Sequence, residues 1–138
     1  MVRVSLVESD IQDGYRLVSA LKESDSRFNA PRYLIKAAFW LFDQDPSEWR
    51  LVIATPLVDQ RGPLSAYSDI YGVLRHLQPI SLTMQDITIL SPGNKLVNAI
   101  KKLGKIPPGS IGSRIGRARI DDTYVEDAYV YSLINKAA

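Results

Sequence analysis

Apolar and polar positions follow two rhythms along this chain. Between Asp10 and Glu23, the residues Ile11, Tyr15, Val18 and Leu21 recur at i, i+4, i+7 and i+10, one face of a 3.6-residue period, and predict a helix over 10–23. Ser9 with Gln12 three positions later has the form of a capping box, and Glu23-Ser24-Asp25-Ser26 is a polar stop. The next two apolar stretches lack that period. Tyr33 to Phe42 is apolar except for Lys36 and rich in aromatic residues; Trp49 to Thr55 is β-branched. With the turn cluster Asp43-Gln44-Asp45-Pro46-Ser47-Glu48 between them, they predict a hairpin. The strand at 50–54 reads as apolar on both faces, so it belongs inside a sheet covered on both sides. Residues 33–38 are compatible with strand or helix.

A tight polar turn is expected after Thr55, then a helix that starts at Pro63, a residue suited to a first helical position. Its stripe is Leu64, Tyr67, Tyr71 and Leu74, widened by Ile70 and Leu77, and Pro79 marks its end. Ile87 to Leu90 is a short strand. Ser91-Pro92-Gly93-Asn94 is a turn whose Asn94 caps a third helix through Leu96, Ala99, Ile100 and Leu103, closed by Gly104. Residues 104–116 read as a glycine- and proline-rich loop. Ile115 to Ile120 and Thr123 to Leu133 then form a second hairpin around Asp121-Asp122, with Tyr124, Val125, Tyr129, Val130 and Tyr131 giving its last strand a strong β composition. The order is α-β-β-α-β-α-β-β. It predicts an α+β fold with one mostly antiparallel sheet of about five strands packed with helices. No repeat or linker interrupts it, so residues 1–138 are read as a single domain.

Composition narrows the chemistry. The 138 residues are 46% hydrophobic, enough for a core and too many for disorder. There is no cysteine, which excludes disulfides, thiol catalysis and cysteine-based zinc sites. Glu8 comes too early for a signal-peptide apolar region, and no apolar run approaches the ~18 residues of a membrane span. A soluble protein of a reducing cytoplasm, with no membrane partner, is the expectation. The net charge of +2 is unevenly spread. Residues 1–86 hold nine basic and eleven acidic residues, 87–120 hold seven basic and none acidic, and 121–138 hold one basic and four acidic.

Three blocks of sequence resemble those of a family of short single-domain bacterial proteins of unknown function. They are Ala38-Phe39-Trp40, then Glu48 to Asp59 (EWRLVIATPLVD) with Gly62-Pro63, then Val125 to Tyr131 (VEDAYVY). The resemblance implies a small bacterial protein; it implies no activity, cofactor or site residue.

The charge anomaly supplies the candidate site: Lys95, Lys101, Lys102, Lys105, Arg114, Arg117 and Arg119. Lys95 and Lys102 share a helical face, Lys101 and Lys105 lie beside it, and Arg117 and Arg119 share a strand face by period two. The glycine-rich loop between them offers backbone N–H groups to an anion. Such a footprint binds phosphate backbones. Against this, the block holds no aromatic residue for stacking, and Asp121, Asp122, Glu126 and Asp127 follow it closely. Glu126 and Asp127 are adjacent on a strand, so one must face the covered side unless the strand bulges or lies at an edge; Arg114, Arg117 and Arg119 are the available partners.

Other chemistry is weaker. His76, the only histidine, sits near a helix C-terminus, where the dipole favours it. Asp43, Asp45, Glu48 and Asp59 suggest a Mg²⁺ nuclease, but Arg50 stands where such a site wants a lysine. Ser110 and Ser113 fit neither a nucleophile elbow nor a Walker loop. The reading is a non-enzymatic binding or accessory protein, without catalytic or metal-ligating residues and without a cofactor, whose partner is a nucleic acid or an acidic protein surface. The alternatives are a small metal-dependent phosphodiesterase and a structural subunit that assembles through its sheet edge. The oligomeric state stays open.

Overall fold

The computed structural model describes residues 3–23, 34–45, 47–103 and 106–132. Five strands form one sheet: β1 (Ala37–Gln44), β2 (Ser47–Ala54), β3 (Ile87–Leu90), β4 (Gly112–Ile120) and β5 (Thr123–Tyr131), in spatial order β3-β2-β1-β5-β4. All neighbours pair antiparallel except β2 and β3, which run parallel. The helices are α1 (Glu8–Lys22), α2 (Leu57–Arg61), α3 (Pro63–His76) and α4 (Lys95–Leu103). The fold is α+β in the expected order, with α2 an added turn of helix where a tight polar turn was expected. Thr55 Oγ1 accepts the N–H of Leu57 and starts it. No helix among the described residues is long and apolar enough to cross a membrane.

Apolar burial explains the layers. Trp49, Leu51 and Ile53 of β2 point to one face with Ala38 and Trp40, where α1 (Leu17, Val18, Leu21) and α3 (Ile70, Val73, Leu74) cover them. Val52 and Ala54 point to the other, with Phe39, Val130 and the α4 residues Val97 and Ile100. β2 is therefore an interior strand covered on both faces, as its sequence requires. Ala37 and Ala38 are strand, and the Lys36 N–H donates to the Ala54 carbonyl, so residues 34–38 are not helical. Tyr33, Pro46, Gly104 and Leu133 lie outside the described residues, as do 24–26 of the expected helix stop.

Three expectations change. α1 begins earlier than Ser9 suggested: Val7 precedes it, and the Asp10 carboxylate accepts the Val7 N–H. The 43–48 cluster is mostly strand, because Asp43 pairs with Glu48 and Gln44 with Ser47; these residues are polar because the hairpin end is exposed, not because the ladder has ended. On α3 the buried face is Ala66, Ile70, Val73 and Leu74, while Leu64 is 84% and Tyr71 51% exposed. Two apolar stripes on this helix satisfy the same period; contact with the sheet selects the one that the small Ala66 allows to approach.

Candidate nucleic-acid interface

The candidate surface is built from α4 and the β4–β5 hairpin. Asn94 caps α4, its Oδ1 accepting the Leu96 N–H at 2.8 Å. Val97 and Ile100 then turn inward, which leaves Lys95, Asn98 and Lys102 along the side that meets the hairpin tip. A cleft of about 200 Å³ lies between these three and Ile120, Asp121, Asp122 and Thr123. Lys95 Nζ is 3.7 Å from Asp122 and Lys102 Nζ 3.9 Å from Asp121, all four side chains being well exposed. Exposed pairs at such separations contribute under about 1 kcal/mol and are screened by salt, so both lysines stay available to an external anion. Lys101 is exposed one position away; Lys105 lies outside the described residues.

The three arginines of β4 separate. Arg114 lies on the opposite face of the sheet from α4. It makes two hydrogen bonds to Asp127 (2.7 and 2.8 Å) and stacks 5.1 Å from the Trp49 ring centroid. The hydrogen bonds to Asp127, aided by its charge, raise the Arg114 guanidinium further above its ordinary value against the pull of burial. This residue is a structural partner and leaves the footprint. Arg117 and Arg119 are exposed, and neither forms an ion pair among the described residues.

The geometry of β4 and β5 also answers the question of Glu126 and Asp127. Ala128 and Val130 face the α4 side two residues apart, but Val125 joins the same cluster three residues before Ala128. The inward alternation slips by one between them, so both acids stay at intermediate exposure and neither enters the core. Across the ladder Arg117 takes a φ of 48°, with the pairs Gly116–Asp127 and Ala118–Val125 on either side. The period-two argument that aligned Arg117 with Arg119 therefore meets an irregular strand.

Tyr124 was outside the basic block and is the residue that sequence reasoning missed. It is the ladder partner of Arg119, whose guanidinium lies 5.5 Å from the tyrosine ring centroid. Tyr124 is 47% exposed, and its hydroxyl donates to Glu126 at 3.1 Å. That hydrogen bond raises the hydroxyl above its ordinary value, with the Glu126 charge adding and Arg117 and Arg119 opposing. The tight Asp121-Asp122 turn was the available signal, because it sets 119 opposite 124. The glycine loop contributes less than expected: Gly112 and Gly116 are inside β4, and the Ser110 N–H is already bonded to the Pro107 carbonyl. Gly112 serves close packing, since a Cβ there would overlap the Tyr129 ring.

The carboxylates of the first hairpin do not converge. Glu48 pairs with Arg50 at 3.2 Å near the start of β2, whereas Asp59 lies beyond its far end and accepts a hydrogen bond from Ser91 at 2.7 Å. An eight-residue strand separates them by about 23 Å. No group of three or more acidic or histidine side chains among the described residues is placed to hold a metal. His76 Nδ1 lies 2.9 Å from the Gly72 carbonyl, a helix-end contact.

A second polar cluster joins residues far apart in sequence. Arg3 lies between the buried carboxylates of Asp10 and Asp86: Nη1 donates to Asp10, while Nε and Nη2 donate to Asp86 at 3.4 and 3.0 Å. Its guanidinium sits 5.4 Å from the Trp40 ring centroid, and its carbonyl accepts the Trp49 N–H at 2.7 Å. Burial pulls this guanidinium down, but hydrogen bonds and charge from Asp86 and Asp10 outweigh it and hold it above its ordinary value. The remaining carboxylate oxygens accept Val7 and Thr83 N–H groups. A cleft of about 430 Å³ opens alongside, lined also by Ser5, Ser81 and Gln85. With its charges already satisfied, the cluster is a clamp that fastens the N-terminal segment across the sheet. No protein-family model, curated protein or solved structure matches the chain.

Proposed function

We propose that this chain is a non-enzymatic binding protein that contacts a nucleic acid through its phosphates, using α4 and the β4–β5 hairpin. The observation that carries the reading is the convergence of exposed cations there. Lys95, Lys101, Lys102, Arg117 and Arg119 lie on two adjoining elements, and their only ion pairs among the described residues are two long contacts to the hairpin tip. The cysteine-free composition supports a reducing, cytoplasmic setting, and the blocks of resemblance support a bacterial one.

The test is a fluorescence-anisotropy titration of labelled oligonucleotides over a range of salt. Five phosphate contacts give a log–log slope of about −3.5 for single strands and about −4.5 for duplex DNA, because each contact releases condensed counterions. Neutral substitutions at Lys101, Lys102, Arg117 or Arg119 each flatten the slope by roughly one unit, whereas Arg114→Gln leaves it unchanged. Absence of binding at low salt overturns the reading and leaves an acidic protein surface as the partner to pursue.

A further inference from the structure

We infer that Tyr124 is a base-stacking platform, so that the nucleic acid recognised by this surface is single-stranded. The inference rests on the phosphate-binding reading above and specifies its ligand. Aromatic rings with nearby cations bind unpaired bases because every base has a π-face, and a duplex keeps those faces stacked internally. Tyr124 has the required exposure, position and support. Nearly half of it is open to solvent although it belongs to a strand. Arg119 lies over the ring as a cationic backing, in cation–π geometry. The hydroxyl is tied to Glu126, which restrains the ring before any ligand arrives. Three residues back along β5, the tip carboxylates reach Lys95 and Lys102, so a base on the ring brings its flanking phosphates toward those lysines. Glu126 is the one opposing charge at the ring, and a base, being neutral there, avoids the repulsion that a phosphate would meet.

The fold supplies its own control. Tyr71 on α3 is 51% exposed with Arg75 5.8 Å from its ring centroid, an equivalent pair on the layer opposite α4 and its lysines. If stacking requires the basic surface, Tyr71 contributes nothing.

The experiment measures binding of a labelled oligo(dT), of a duplex and of inorganic polyphosphate to the wild type and to Tyr124→Ala, Tyr124→Phe and Tyr71→Ala, with thermal melts of each protein. Tyr124→Ala is expected to weaken oligo(dT) binding by about 5- to 150-fold, the range for losing one stacked base. The salt slope should stay unchanged, because no phosphate contact is removed. Tyr124→Phe keeps the π-face and retains affinity within about threefold, and Tyr71→Ala matches the wild type. Polyphosphate, which has no bases, binds Tyr124→Ala and wild type alike. If oligo(dT) and polyphosphate bind with steep salt dependence but Tyr124→Ala is silent, or if the duplex binds as tightly as the single strand and responds equally, stacking is overturned while phosphate binding stands. If no polyanion binds, both readings fall.

Discussion

Replacing Gly14 by alanine is expected to destabilise the protein even though alanine is the better helix former. Gly14 lies on the buried face of α1, where the helix backbone meets the Tyr131 hydroxyl. That hydroxyl accepts a hydrogen bond from Trp40 Nε1 at 2.8 Å and donates one to the Ile11 carbonyl at 2.7 Å, so it joins β1, β5 and α1 at one buried point. A Cβ at position 14 would overlap the hydroxyl oxygen and stand 2.9 Å from Trp40 Nε1 and 3.1 Å from Tyr131 Cζ. Overpacking of this kind costs about 1–3 kcal/mol, against a gain of roughly 1 kcal/mol from the Gly→Ala change in helix propensity. Because rigid sheet residues supply the clash, a net loss of about 1–2 kcal/mol is expected, or roughly 3–7 °C in Tm at this length. Tyr131→Phe leaves the Trp40 N–H buried without its acceptor, at about 1–3 kcal/mol. In the double variant the new methyl group takes the space of the missing hydroxyl. Its cost should therefore fall short of the summed single costs by about 1 kcal/mol. Urea unfolding followed by tryptophan fluorescence measures all four corners of this cycle. A Gly14→Ala protein as stable as the wild type, or strictly additive costs, would refute the reasoning.

Two more predictions concern buried polar groups. Arg3→Ala strands the carboxylates of Asp10 and Asp86 and should cost about 3–5 kcal/mol; added methylguanidinium should restore part of the lost Tm and methylammonium much less, because only the planar fork addresses both acids. An equal response to the two cations would show that general charge screening is at work. Burial pushes the Tyr131 hydroxyl well above its ordinary value of 10, against the hydrogen bond from Trp40. Above pH 10 the unfolded chain releases this proton while the folded chain keeps it, so its contribution is intact below pH 10 and stability then falls by up to about 1.4 kcal/mol per pH unit. Denaturant melts between pH 9 and 11 on wild type and Tyr131→Phe check this, since the variant should lose that part of the decline.

Much of the framework was legible because it rests on near neighbours. An apolar run on both faces of 50–54 permits only an interior strand, and β2 is one. The spacing of Ile11, Val18 and Leu21 and the cap at Asn94 depend on residues within a few positions, and both helices form there. Tertiary structure decided what depends on partners distant in the chain. Periodicity allows α3 more than one apolar stripe, and only packing against the sheet leaves Leu64 and Tyr71 outside. Gly112 reads as a loop residue until the Tyr129 ring is seen against it. The block at 87–120 is uniformly basic in sequence, but charge acts through space: the β4–β5 hairpin brings Asp127 to Arg114 and carries that pair to the face away from α4, while it sets Tyr124 beside Arg119. Arg3, Asp10 and Asp86 carry no shared local pattern at all, and 83 residues separate the first from the last. Local sequence settles backbone preference because hydrogen bonds and steric fit act over a turn or a strand pair; which charges meet is settled by sheet register and burial, which no local pattern encodes.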